Sequence, residues 1–214
     1  MAEVEQPSGS LDATASWSAS WAVRVIDQRK GHRGLSQEGR LDLSVDRSGP
    51  EVTLTARSQA RMQPAQTWVQ EATIVCEDDL PLTLKRWTLH SQLLARNGSV
   101  VRLEDERSQE HDTGPGARRK GLLWSCDWAV IDAVQRLGDD AKVEFAMLQA
   151  LDVPRTAVRL APDGEATMTL KTGETTLRGW RLSGVGLVPS WYWRGPSGHV
   201  LAATAGQWAL VRLP

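Results

Sequence analysis

Residues 52–62 alternate in character: Val52, Leu54, Ala56, Ala60 and Met62 are apolar or small, while Thr53, Thr55, Arg57, Gln59 and Arg61 between them are polar. Successive side chains of a strand point to opposite faces, so a segment of this kind buries one face and wets the other. The pattern recurs over 17–25 (Trp17, Ala19, Trp21, Val23, Val25), 41–45 (Leu41, Leu43, Val45), 68–76 (Trp68, Gln70, Ala72, Ile74, Cys76) and 166–170 (Ala166, Met168, Leu170). A parallel sheet buried on both faces would show continuous apolar runs, so the alternation predicts antiparallel strands with one covered face.

Turn chemistry separates the runs: Ser48-Gly49-Pro50, Asp78-Asp79, Asn97-Gly98, Asp163-Gly164, Thr172-Gly173 and Pro196-Ser197-Gly198. These are residues that tolerate positive φ or fix a tight turn, and they favour hairpins. Two runs change parity. Leu82 and Leu84 are followed by Trp87, Leu89 and Leu93, and Leu177 is followed by Trp180 and Leu182. One extra residue, near Lys85-Arg86 and at Gly179, restores each alternation, which is the mark of a β-bulge. Bulges bend sheets. The expectation is a mainly β fold: a large curled antiparallel sheet of about a dozen strands, a half-barrel or open barrel. One main amphipathic helix is expected to cover its concave face.

That helix is predicted from Trp124, with apolar positions at Trp124, Trp128, Ile131, Val134 and Leu137. Ser125 or Asp127 would cap its start, and Gly138 stands where a left-handed C-cap belongs. Its stripe should meet Trp180, Leu182, Trp191 or Trp193, Val200 and Trp208, with Tyr192 pointing away. Residues 27–39 and 105–121 carry no period and are expected to be loops; the second exceeds the usual length of a connector. Residues 1–15, acidic and small, are expected to form a flexible arm, and 16–214 a single β-rich domain. The start has no positively charged n-region and no apolar h-region, so the chain is expected to be cytoplasmic, or periplasmic if a signal peptide was removed before Met1.

Composition narrows the function classes. With 25 Lys+Arg against 26 Asp+Glu, the net charge is -1, which argues against a general nucleic-acid binder. No apolar run approaches the roughly 20 residues of a membrane-spanning helix. The 10 Trp, against one Tyr and one Phe, fit either a GC-rich coding bias or a set of aromatic ligand-binding faces. Cys76 and Cys126 do not make a disulfide framework or a zinc pattern; they are expected to be two buried thiols, with a single Cys76–Cys126 bridge as the alternative if the protein is exported.

Catalytic and cofactor motifs are missing. There is no nucleophile elbow, phosphate-binding glycine loop or paired-histidine metal motif, and Gly184-Val185-Gly186 lacks the context of a dinucleotide fingerprint. The sequence implies no cofactor and no metal. Glu110-His111-Asp112 and Arg118-Arg119-Lys120 are expected to be solvated loop.

The most informative stretch is 179–206, GWRLSGVGLVPSWYWRGPSGHVLAATAG. Gly184, Gly186, Leu187 and Pro189 form a turn that leads into Tyr192 and Trp193, and Gly198 marks the next hairpin. In these residues the chain resembles a group of uncharacterised bacterial half-barrel proteins similar in architecture to the lipoprotein carrier LolA. The resemblance implies a curled antiparallel sheet and a binding role without chemistry. The expected function is therefore a non-enzymatic protein holding an apolar or amphipathic ligand, a lipid or lipidated partner, in the concave face. Trp87, Trp124, Trp128, Trp180, Trp191 and Trp193 are the candidate ligand-binding residues. The alternatives are a carbohydrate-binding module that uses exposed Trp, or a structural domain whose core is filled and which takes no ligand.

Overall fold

A computed structural model describes residues 7, 9–27, 34–63, 66–95, 97–111, 124–170 and 173–214. Among these residues thirteen strands form one sheet. The first six are long and follow one another as a meander: β1 (Trp17–Asp27), β2 (Gly34–Asp46), β3 (Val52–Gln63), β4 (Gln66–Glu77), β5 (Thr83–Ala95) and β6 (Val100–Glu110). A short strand β7 (Trp124–Cys126) precedes helix α1 (Ala129–Arg136). Then come β8 (Val143–Gln149), β9 (Val153–Leu170), β10 (Gly173–Ser183), β11 (Ser190–Arg194), β12 (Val200–Ala205) and β13 (Trp208–Arg212). The order across the sheet is β6-β5-β4-β3-β2-β1-β13-β12-β11-β10-β9-β8-β7, so the first and last strands pair in the middle.

This order overturns the curled half-barrel or barrel. Closure would need β6 to pair with β7, the two ends of the ladder. Among the described residues β6 pairs only with β5, and β7, three residues long, pairs only with β8, in parallel. The sheet is open at both edges. The expected bulges are present, since Lys85 and Gly179 are the residues skipped in the β4–β5 and β9–β10 registers, but among the described residues they bring about no pairing between β6 and β7.

The helix also differs from its prediction. Trp124 lies in β7, where it stands opposite Ala146, and α1 begins at Ala129 with Trp128 as its N-cap. Neither Ser125 nor Asp127 makes a side-chain cap. Leu137 closes the helix in an extended conformation, and Gly138 has no positive φ. The spacing of Trp124 and Trp128 imitates a helical stripe although only the second belongs to the helix.

Asp163-Gly164 is not a hairpin turn. It lies inside the 18-residue strand β9, facing the skipped Gly179, with Gly164 at φ 78°. A Cβ on Gly179 would meet the Asp163 carbonyl oxygen at 2.7 Å and the Trp193 ring at 2.8 Å, so only glycine allows the two chains and the ring to approach this closely. The loop expected over 27–39 is shortened by β2, which starts at Gly34, and the one over 105–121 by β6, which runs to Glu110. Arg118-Arg119-Lys120 and residues 1–6 and 8 of the arm lie outside the described residues.

One core joins the sheet and the helix. Trp21, Leu54, Ile74, Leu82, Leu84, Trp180 and Leu160 are buried in it together with Cys126 and the helix residues Ala129, Val130, Ile131, Ala133 and Val134. A smaller cluster, Leu170, Leu177 and Leu201 with Met168, Trp193 and Val211, covers the opposite face of the later strands.

Candidate functional site

Helix α1 is anchored by charge at both ends. Asp132 is fully buried, and both its carboxylate oxygens accept from Arg47 at 2.7 Å. The Trp17 indole N–H donates to it at 2.9 Å, and Arg136 reaches it at 3.4 Å. Arg47 and Arg136 also pair with Asp78 of the β4–β5 turn. At the other end Arg194 donates to the carbonyls of Val134 at 2.8 Å and Leu137 at 2.6 Å, and pairs with Asp139. A cation suits this end, where unpaired carbonyls carry the negative pole of the helix.

The structure distributes the six candidate Trp residues over several environments. Trp180 is fully buried, and the Arg194 guanidinium lies 4.1 Å from its ring centre. Trp87 is buried and its N–H donates to His111 Nε2 at 3.3 Å. His111 is therefore no part of a solvated loop; it is half-buried, and burial holds its pKa below the usual histidine value. Trp124 and Trp128 pack at the margin of the main core. Trp193 packs on the other face of the sheet in the smaller cluster. Trp191 lies beneath Arg181 and donates to Asp163 at 2.7 Å.

Parity explains this separation. Tyr192 stands opposite Trp180 in the β10–β11 register, so the two share a face, and both are in the core. The expectation that Trp191 or Trp193 would meet the helix while Tyr192 turned away is thus reversed. The bulge at Gly179 sets which parity of β10 faces the core, and β11 follows it.

The expectation of an apolar or lipid ligand held in a concave face is overturned by the same packing. The face under the helix is occupied by Trp21, Trp180 and their neighbours, and residues Ala129–Gln135 of α1 are themselves buried. A cleft of about 400 Å³ opens at the rim of this core, between α1 and strands β1, β10, β11 and β13. Trp128 is the one candidate residue that lines it.

Asp127 and Tyr192 also line this cleft. Burial pushes the Asp127 carboxyl up to about 6, against the opposing effect of the Ala150 N–H, which lies 3.2 Å from each oxygen. Burial, and then the Asp127 charge, push the Tyr192 hydroxyl up. Cys76 and Cys126 are buried and unbridged; burial, and then Asp79 and Asp132, push the Cys76 thiol up to about 12. Such thiols are not nucleophiles at neutral pH. Among the described residues no three His, Cys, Asp or Glu side chains converge as metal ligands. No helix among them is long and apolar enough to cross a membrane.

No family model and no curated protein matches the chain. Among solved structures it is similar to the crystal structure of a beta-barrel-like protein of domain of unknown function DUF1849 from Brucella abortus, with a TM-score of 0.49 and 10% identity over 93% of this chain and 95% of that one. The resemblance to the lipoprotein carrier LolA is withdrawn. The open ladder lacks the curl that the resemblance implied.

Proposed function

We propose that this chain is a structural β domain whose interior is filled by its own side chains and takes no ligand. The observation that carries this reading is the burial of α1. A helix that covered a ligand would keep one face towards the guest, whereas Ala129–Gln135 are all buried and of them only Ile131 lines the cleft at the rim. The Trp residues support it further, because Trp180 is engaged by Arg194, Trp191 by Asp163 and Arg181, and Trp87 by His111. Aromatic groups already engaged in this way have no free face to offer.

A sugar platform built on exposed Trp has less support. It needs at least two coplanar exposed rings, and Trp208, 40% exposed, is the one Trp among the exposed large apolar side chains. Native mass spectrometry of the purified full chain tests the structural reading. A single species at the mass of the bare chain is expected, and a lipid released in stoichiometric amount would overturn it.

A further inference from the structure

We infer that the polar face of β1–β6 binds an extended, uncharged polyhydroxylated chain, an oligosaccharide, laid across the strands. This goes beyond the filled interior and does not rest on it, because the face in question is the one turned away from the main core. A groove of about 1060 Å³ lies along it, bordered on one side by Pro7, His199, Leu213 and Pro214.

The registers align two rows of side chains there. The first is made only of hydroxyls: Ser18 stands opposite Ser44, Ser44 opposite Thr55, Thr55 opposite Thr73, Thr73 opposite Thr88, and Thr88 opposite Ser108. The second runs Ser20, Asp42, Arg57, Glu71, His90, Glu106 by the same pairings. All of the second row and all of the first except Ser108 line the groove. Strand spacing puts one hydroxyl about every 4.8 Å, so six strands give a row about 24 Å long.

The chemistry of the rows selects the occupant. A hydroxyl both donates and accepts, and so do the hydroxyls of a sugar, so an unbroken hydroxyl row suits a ligand that repeats such groups at the spacing of a sugar ring. Ser44 and Thr55 bond to each other, while Ser18, Thr73 and Thr88 have no side-chain partner among the described residues. The charges largely neutralise one another: Arg40 and Ser20 hold Asp42, and Arg57 pairs with Glu71 at 3.1 Å. The two charges of the groove left without an ion partner among the described residues, Glu106 and Arg212, are of opposite sign, so no surplus of one sign remains to recruit an ion. No large apolar side chain stands in either row, so a lipid or an apolar peptide finds no contact area on them.

Affinity electrophoresis of the full chain in gels cast with a soluble β-glucan or xylan, with calorimetry on cellohexaose, tests the proposal. The natural chain should be retarded and should bind. Thr55→Val, Thr73→Val and Thr88→Val combined keep the β-branched shape and remove three hydroxyls, and should lower affinity at least tenfold. Thr169→Val, on β9 away from the groove, should bind like the natural chain. Should the triple variant fail to fold, the single exposed change Thr73→Gln fills the middle of the groove and should itself abolish retardation. Three results would each overturn the proposal: no retardation of the natural chain by any neutral polysaccharide, unchanged affinity in the variants, or retardation only by a polyanion and lost in salt.

Discussion

Asp127 and Asp132 enter the same core five residues apart, one just ahead of α1 and one within it, and meet opposite surroundings. Asp132 is met by two guanidinium groups, Arg47 at 2.7 Å and Arg136 at 3.4 Å, and by the Trp17 indole. Asp127 meets no counter-charge among the described residues; backbone N–H groups, chiefly that of Ala150, are what it receives. Burying a carboxylate costs several kcal/mol unless charge and hydrogen bonds replace its hydration. Backbone donors offset part of that cost and leave Asp127 a carboxyl that holds its proton up to a pH of about 6. Full pairing turns Asp132 into the joint that fixes the helix to β1, to the turn after β2 and to the β4–β5 turn.

Breaking the paired side should have the largest effect. Asp132→Ala leaves the Arg47 guanidinium, whose side chain is only 5% exposed, buried without its main partner. Removing one member of a buried pair typically costs about 3–5 kcal/mol, a large share of the roughly 5–15 kcal/mol that holds a domain together. Urea unfolding at pH 7 should show that loss. A loss below 1 kcal/mol would mean that Arg47 is held by Asp78 and the Ala15 carbonyl alone.

The unpaired side should reveal itself through pH. The folded Asp127 carboxyl titrates near 6, above the value near 4 expected in the unfolded chain. A raised folded pKa means that the native state keeps a proton the unfolded state has released. The stability this provides is complete below pH 4 and is lost as pH rises from about 4 to about 6. Two pH units correspond to about 3 kcal/mol. Asp127→Asn keeps an oxygen for the Ala150 N–H and removes the titration, so the gap in stability between the variant and the natural chain should widen by about 3 kcal/mol in the variant's favour from pH 4 to pH 7. Parallel curves would mean that water in the cleft solvates the Asp127 carboxylate well enough to leave it at its ordinary pKa.

The same contrast shows what a sequence can reveal. Alternation located β1, β3, β4 and β5 to within a few residues, because each alternates in character over most of its length, and parity marked Lys85 and Gly179 as bulges. It misplaced β7, since a three-residue strand has no period and its Trp124 falls by chance on the helical spacing of α1. It misread Asp163-Gly164 because a bulge opposite Gly179 uses the residues that a hairpin would use. Whether β6 and β7 meet depends on the geometry of the whole ladder, which no local pattern records. The candidate Trp residues were found as aromatics, but their partners Arg194, Asp163 and His111 are remote in the chain. The hydroxyl row likewise draws its members from separate segments and exists only once the registers align them.

The smallest change expected sharpens the paired side. Trp17→Phe removes the indole N–H that Asp132 accepts at 2.9 Å and keeps an aromatic ring near Trp21, against which Trp17 packs edge-on with centroids 6.4 Å apart. A hydrogen bond to a charged group is worth about 1.5–3 kcal/mol, and edge-to-face contact about 0.5–1.5 kcal/mol. The second contribution is largely retained by Phe, so the loss should be about 2 kcal/mol, smaller than for Asp132→Ala. In the background of Asp132→Ala the same Trp17→Phe change should cost less than 1 kcal/mol, because the acceptor is already gone, and the double-mutant cycle isolates the bond. Equal losses in both backgrounds would show that Trp17 stabilises the core through its ring alone and that Arg47 and Arg136 suffice to hold the buried charge.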